Sequence, residues 1–154
     1  MIYGLTYLGV IHTLISLVAV AAAIIAFVRD GAIHPHNTLG KVYIWTTVLT
    51  CLTGFGIFQH GGFGKPHALG IITLLVLLAA WKVKSVKVST VLYTLTFLFH
   101  MIPAVTETTT RLPLGAPLLA DAEAPELKAI TGVMFLIFLA GVTLQLRRLK
   151  AQGK

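Results

Sequence analysis

The sequence predicts an all-α integral membrane protein, a single bundle of five transmembrane helices. The chain has 154 residues, of which 56% are hydrophobic and only 11% are charged, and its mean hydropathy is +0.89. Soluble domains carry about 25% charged residues, so this chain has too little polar surface for a soluble fold. Its apolar segments are close to the roughly 20 residues needed to cross a bilayer. We therefore expect one membrane domain over residues 1–154.

Each predicted span is bounded by residues that interrupt helices. The N-terminus lacks a basic region and a small-residue cleavage site, so we expect a membrane helix there and not a signal peptide. The segments RDGAIHPHN, HGGFGKP and TRLPLGAPLLADAEAP contain the glycines and prolines that separate helices. Pro66 and Pro125 stand where a helix can begin, and Pro103 predicts a helix end or a kink. The predicted spans are residues 2–28, 38–59, 66–82, 86–104 and 126–146.

Charge predicts the orientation. Nine of the twelve lysines and arginines follow the first span, the third span or the fifth span. Because basic residues accumulate on the cytoplasmic side, we expect the N-terminus outside and the C-terminus in the cytoplasm of a bacterial inner membrane. The net charge of +7 has the same origin. No basic stripe with interleaved aromatic residues favours nucleic-acid binding.

Small and aromatic residues predict how the spans pack. Ala19, Ala23 and Ala26 recur on one face of the first span and would allow a close helix neighbour. The single cysteine, Cys51, lies in an apolar run and is interpreted as a packing residue. Six aromatic residues near span ends are interpreted as anchors at the membrane–water interface. They are Tyr3, Tyr7, Tyr43, Trp45, Trp81 and Tyr93.

Four histidines fall near the outer face of the predicted membrane domain, although they are far apart in the chain. Polar groups at membrane depth are costly, so several together indicate a functional site. Spacings of seven and four residues also place Glu107 and Arg111 on one helical face with the last of these histidines. The four are His12, His60, His67 and His100.

Imidazole binds iron, copper and zinc, so two cofactors are open. The first is haem b with His12 and His100 as axial ligands, His60 and His67 at its rim, and electron transfer to or from a quinone. The second is a Zn, Cu or Fe ion held by three or four of these histidines with Glu107, in a structural, metal-handling or hydrolytic site. No CxxCH is present, which excludes covalently attached haem.

Functions without a cofactor are also open. One is an accessory subunit of a membrane complex, with histidines that are incidental or that titrate near neutral pH. Assembly into a homo-oligomer or a larger membrane complex is open as well. Transport is a further alternative. His34 and His36, in the turn after the first span, are interpreted as structural or weakly metal-binding. Whether the protein is an enzyme is left open, since no Walker, dinucleotide, GxSxG or HExxH motif occurs.

Two segments resemble a known family. Residues 36–81, HNTLGKVYIWTTVLTCLTGFGIFQHGGFGKPHALGIITLLVLLAAW, resemble the bacterial integral-membrane family of domain-of-unknown-function type 2306, through His36, Gly40, Tyr43 and Trp45. Residues 97–113, FLFHMIPAVTETTTRLP, resemble small membrane proteins related to it. The resemblance implies a multi-span bacterial membrane protein and supplies no activity. The architecture also resembles small b-type membrane cytochromes.

Overall fold

The computed structural model describes residues 6–58 and 62–153, and all its regular elements there are helices. The first four helices pack in a ring, each on the next, and the fourth returns to the first. The fifth helix packs on the fourth and on no other described helix. The helices are α1 Tyr7–Asp30, α2 Thr38–Gly54, α3 Lys65–Lys82, α4 Val86–Arg111 and α5 Pro125–Ala151. The prediction of an all-α fold with five helices is confirmed; that all five cross a membrane, with the N-terminus outside, stays a prediction.

Four of these helices, α1, α3, α4 and α5, are long and apolar enough to cross a membrane. α2 has only 17 residues and ends at Gly54, so the predicted end at residue 59 is wrong. Its last turn gives way to a tight turn, in which the Gly56 N–H donates to the Thr53 carbonyl at 3.2 Å. The predicted end of the fourth span at residue 104 is also too early, because α4 continues through Pro103 to Arg111. The predicted end of the fifth span at residue 146 is too early as well, since α5 runs to Ala151, and the predicted start of the first span at residue 2 lies outside the described residues.

Threonine hydroxyls and an ion pair accompany this extension of α4. The hydroxyls of Thr108 and Thr110 donate to carbonyls four residues earlier, at 2.7 Å each. Arg111 forms an ion pair with Glu107 one turn before it. Pro103 removes one backbone donor from the helix, and the helix nevertheless remains continuous around it.

α1 and α2 pack closely because the facing surface of α1 consists of alanines. Ala19, Ala23 and Ala26 are fully buried, which confirms the predicted small-residue stripe. The turn between these helices is equally tight. Asn37 caps α2 by accepting the Gly40 N–H at 2.8 Å. A Cβ on Gly40 would lie 1.8 Å from the carbonyl oxygen of His34, so this position requires glycine.

The prediction that all six aromatic residues are interfacial anchors is wrong for two of them. Tyr43 and Tyr93 are 0% and 1% exposed and lie inside the ring of helices. Tyr7, Trp45 and Trp81 are exposed, as expected, and Tyr3 lies outside the described residues. A buried tyrosine needs a partner for its hydroxyl, and Tyr43 finds one in Thr96 at 2.8 Å. Cys51 is buried without a disulfide, as predicted.

Candidate functional site

His12 lies two turns into α1 and faces the end of α2. Its Nδ1 is 3.1 Å from the Thr53 hydroxyl oxygen. That hydroxyl also lies 2.8 Å from the Leu49 carbonyl and 3.1 Å from the Thr50 carbonyl; when its single hydrogen is donated to either of them, it accepts from His12 and the ring is an Nδ1–H donor. In the neutral ring, Nε2 then carries a lone pair. His12 therefore keeps one nitrogen available for a proton or a metal ion.

His100 lies near the middle of α4 and is buried, with 6% of its surface exposed. Its Nε2 is 3.0 Å from the hydroxyl oxygen of Thr47 on α2, a residue with no exposed surface. The Tyr43 ring packs against His100 edge to face, with 6.0 Å between ring centroids. His100 is thus held deep inside the ring of helices by groups from the helix opposite.

The contacts of His100 and Tyr43 cross the diagonal of the bundle. α2 and α4 do not pack on each other directly, and long side chains bridge the space between them. The Thr96 hydroxyl donates to the Tyr93 carbonyl at 2.8 Å, so it accepts from the Tyr43 hydroxyl. The Tyr93 hydroxyl is buried and has no hydrogen-bond partner among the described residues. The centre of the bundle is therefore polar, where an apolar core is the norm.

Glu107 and Arg111 lie in the last turns of α4, at the same end of the bundle as His12. Glu107 is seven residues after His100, a rise of about 10 Å along a helix, and Thr53 is six residues after Thr47. Because α2 and α4 run in the same direction, Glu107 lies at the level of His12 and Thr53. Glu107 acts electrostatically on His12, and His12 acts on His100. The three ionisable groups thus form a series from the bundle end to its interior.

We call this series the polar seam. It contains ionisable side chains and the hydroxyl groups that hold them, and it runs along the interior between α1, α2 and α4. Its deepest residue on α2, Tyr43, is five residues from the helix start, or about 8 Å at 1.5 Å per residue. Its members are Glu107, His12, Thr53, His100, Thr47, Tyr43 and Thr96.

His67 lies at the start of α3, at the same end of the bundle as His12. Its Nδ1 accepts the Gly64 N–H at 3.2 Å, so its Nε2 carries the hydrogen. This buried Nε2–H has no partner among the residues that the structure describes. Phe58 and Phe63 pack against the ring, with centroids 5.0 and 5.3 Å away. In this arrangement His67 is part of an aromatic cluster and offers a metal no lone pair at Nε2.

The predicted site residues are therefore brought together only in part. His12, His100 and Glu107 share the polar seam, whereas His67 belongs to the aromatic cluster. His60 lies outside the described residues. Within residues 6–58 and 62–153, no three His, Cys, Asp or Glu side chains are grouped as they would be around a metal ion. His34 and His36 are exposed in the turn between α1 and α2.

Two groups of polar residues escaped the sequence reasoning. Thr47 and Thr96 sit among many other threonines, and only the fold shows that their hydroxyls meet His100 and Tyr43 across the interior. Gln145, near the end of α5, is buried and bridges two elements. Its amide donates to the Gly31 carbonyl at 3.2 Å, and its carbonyl accepts from the Thr94 hydroxyl at 2.9 Å. A glutamine in a predicted membrane helix was the available signal.

Comparison of the chain with protein-family models, with curated proteins and with solved structures finds no match. The resemblance to the type 2306 family stays a prediction.

Proposed function

We propose that this chain is a multi-pass membrane protein that moves protons through its bundle interior. Protons enter at Glu107, are taken up by His12 and pass to His100. Ionisable groups at membrane depth are costly and commonly form proton relays. The observation that carries the proposal is a pair of histidines held by α2 threonines at two successive depths, the outer one level with an exposed carboxylate.

His12 is the proton acceptor in this proposal. Its Nδ1–H is bound to Thr53, which leaves Nε2 free to accept a proton without a change of ring orientation. Glu107, as a carboxylate, stabilises the resulting imidazolium from the bundle end. Imidazole suits this role because its neutral ring has one N–H donor and one nitrogen with a lone pair, so it can accept a proton and release one.

His100 is the second acceptor. Burial disfavours a charge on His100, and a charged His12 repels it, so the pair holds one proton more readily than two. When a second proton arrives at His12, release of the first proton from His100 toward the deeper part of the seam is therefore favoured. The hydroxyls of Thr47 and Tyr43 continue the path. The Thr96 hydroxyl donates to a backbone carbonyl and orients Tyr43, and the buried Tyr93 hydroxyl, which has no partner among the described residues, is the group proposed to take the proton up next.

The residues fit the predicted haem b poorly. Nε2 of His100 is engaged by Thr47, and Nδ1 of His12 is engaged by Thr53, so a haem between them would have to displace the His100 contact. A cavity that borders α4 and α5 is lined by neither histidine. We derive no electron-transfer step through such a group. Haem b, quinone reaction and a Zn, Cu or Fe ion remain predictions, which an optical spectrum with metal analysis of the purified protein tests.

Proton flux into vesicles tests the proposal. The protein is reconstituted into lipid vesicles that contain a pH-sensitive dye, and a pH step is applied with potassium and valinomycin present to remove the membrane potential. We expect wild-type vesicles to equilibrate faster than empty ones. His100→Leu and His12→Leu should slow this equilibration about tenfold or more, since each removes a positioned proton carrier. Glu107→Gln should slow it as well.

His36→Leu is the matched control, because His36 is exposed in a turn away from the seam. It should leave the flux unchanged. Wild-type flux no greater than that of empty vesicles would contradict the proposal. Equal flux from wild type and His100→Leu, with both proteins folded by circular dichroism, would contradict it too.

A further inference from the structure

A cavity lies between α4 and α5 on the outer side of the ring. Its volume is about 380 Å³, within the range of small-molecule sites. Most of its wall is apolar, formed by residues such as Phe97, Met101, Met134 and Phe138. α5 contributes much of this wall and packs on the bundle through α4 alone among the described helices. The cavity is therefore placed where the chain of a lipid would meet the protein.

One end of the cavity is polar and positively charged. Gln145 and Arg148 line it there, together with Thr94 and Gly31. Gln145 is held by Thr94 and by the Gly31 carbonyl. Arg148 makes no ion pair or hydrogen bond with the side chains that the structure describes. Its guanidinium donors are therefore free for a ligand.

Gly31 creates the space that Arg148 occupies. It closes α1 with a φ of 77°, a conformation that favours glycine. A Cβ at this position would lie 2.6 Å from Nη1 of Arg148. The guanidinium thus lies over the end of α1, at the mouth of the cavity. Arg147 and Lys150 add positive charge on the same helix end.

We propose that this cavity binds one acyl chain of an anionic phospholipid, whose phosphate pairs with Arg148. Guanidinium groups bind phosphate through two parallel hydrogen bonds. Basic pockets between membrane helices are a known setting for anionic headgroups. An apolar cavity with a single cationic end matches a lipid better than a second copy of the chain, whose α5 faces also carry this positive end. The proposal uses the membrane residence proposed above and does not depend on proton transfer.

Lipid competition in the mass spectrometer tests this site. The full chain in mild detergent is given equal amounts of phosphatidylglycerol and phosphatidylcholine, and bound lipid is measured by native mass spectrometry. We expect wild type to retain phosphatidylglycerol preferentially. Arg148→Gln should reduce that preference about tenfold, the loss of one charge-assisted phosphate contact. Arg147→Gln, the same charge change one residue earlier and away from the cavity wall, should keep it.

A second pair of variants tests whether the lipid chain occupies the apolar part of the cavity. Gly141 lines the cavity, and a Cβ there would meet nothing within 4 Å. Gly141→Leu should therefore fold and fill the space, with loss of bound lipid. Gly132 on the same helix is equally open but does not line the cavity, so Gly132→Leu should retain the lipid.

Three outcomes would overturn the proposal. An equal loss of the phosphatidylglycerol preference in Arg147→Gln and Arg148→Gln would indicate general electrostatic attraction between the basic helix end and anionic lipid. Full retention of phosphatidylglycerol in Gly141→Leu would place the lipid elsewhere. A dimer without preferential lipid would assign this face to a second copy. Flotation of the protein with vesicles checks membrane residence separately, so a failure of that premise is distinguishable from a failure of the lipid site.

Discussion

Removing the hydroxyl of Thr47 tests the contact that holds His100 inside the bundle. Thr47→Val keeps the branched shape of the side chain and removes the oxygen that lies 3.0 Å from Nε2 of His100. Both residues are buried, so the imidazole nitrogen would be left without this partner where water has little access. A buried polar group that loses its partner costs about 1–3 kcal/mol. Hydrogen bonds between membrane helices average about 0.6 kcal/mol and reach about 1.7.

We therefore expect Thr47→Val to lower the free energy of unfolding by about 1–2 kcal/mol. Thr46→Val is the matched control, since the Thr46 hydroxyl donates to carbonyls of its own helix, at 2.7 Å to Val42. It should cost less than about 0.5 kcal/mol, because that carbonyl can retain its bond within the helix backbone. Unfolding is measured in mixed micelles by titration with dodecyl sulfate, followed by far-ultraviolet circular dichroism.

A double-mutant cycle separates this contact from the other effects of each substitution. His100→Phe replaces the ring by an apolar one, and the double variant Thr47→Val/His100→Phe completes the cycle. We expect a coupling energy of about 0.6–1.7 kcal/mol. A coupling energy within experimental error of zero would refute the assignment of Thr47 as the partner of His100. So would equal destabilisation by Thr47→Val and Thr46→Val.

Two further predictions concern the turns at the two ends of the bundle. Gly40→Ala should destabilise the protein by about 3 kcal/mol, because the added Cβ overlaps the His34 carbonyl and the backbone must move. Gly132→Ala is the control, since a Cβ there lies in open space, and it should be neutral or stabilising. Equal effects of the two substitutions in the same unfolding titration would contradict the tight turn at Gly40. Lys65 donates to Glu123 at 2.5 Å and lowers the pKa of that exposed carboxyl. The ion pair should therefore persist above the ordinary pKa of glutamate and be lost as the pH falls through the lowered value. An NMR titration of the Glu123 carboxyl carbon checks this. Lys65→Met should return the pKa of Glu123 to its ordinary range.

Hydrophobic length and turn residues predicted the five helices, with their order and most of their ends. The ends that were wrong depend on local hydrogen bonds. α2 stops at Gly54, where the turn closes with the Gly56 N–H on the Thr53 carbonyl. α4 continues past Pro103, with threonine hydroxyls bonded to its carbonyls. The length of an apolar segment does not reveal whether such local hydrogen bonds end a helix or extend it.

Sequence reasoning singled out the ionisable residues of the polar seam and not their hydrogen-bond partners; their role as ligands stays a prediction. His12 and His100 were singled out because a histidine at membrane depth is rare, and both lie in the same half of the bundle with Glu107. The direction in which a side chain faces was not predicted. Tyr43 sits one turn from the start of its helix, as an interfacial anchor would, yet it points inward to Thr96. That difference depends on the rotation of α2 against α4, which the sequence pattern does not specify.

The cavity beside α5 shows the same limit. Arg148 was predicted as one of many basic residues that mark a cytoplasmic end. Its position over Gly31 depends on the left-handed end of α1, 117 residues earlier in the chain, and on Gln145 holding α5 there. Contacts between segments so far apart leave no local signal in a single sequence.

Proton uptake by the interior histidines can be measured directly by ¹⁵N NMR of histidine-labelled protein in bilayers, with His12→Leu and His100→Leu variants to assign the signals. At high pH we expect the His12 ring with hydrogen on Nδ1 and a lone pair on Nε2. As the pH is lowered, its Nε2 should become protonated, and Glu107→Gln should weaken that uptake. A neutral His12 with its hydrogen on Nε2, or interior rings whose signals do not change across the pH range in which the protein stays folded, would contradict proton transfer through this site.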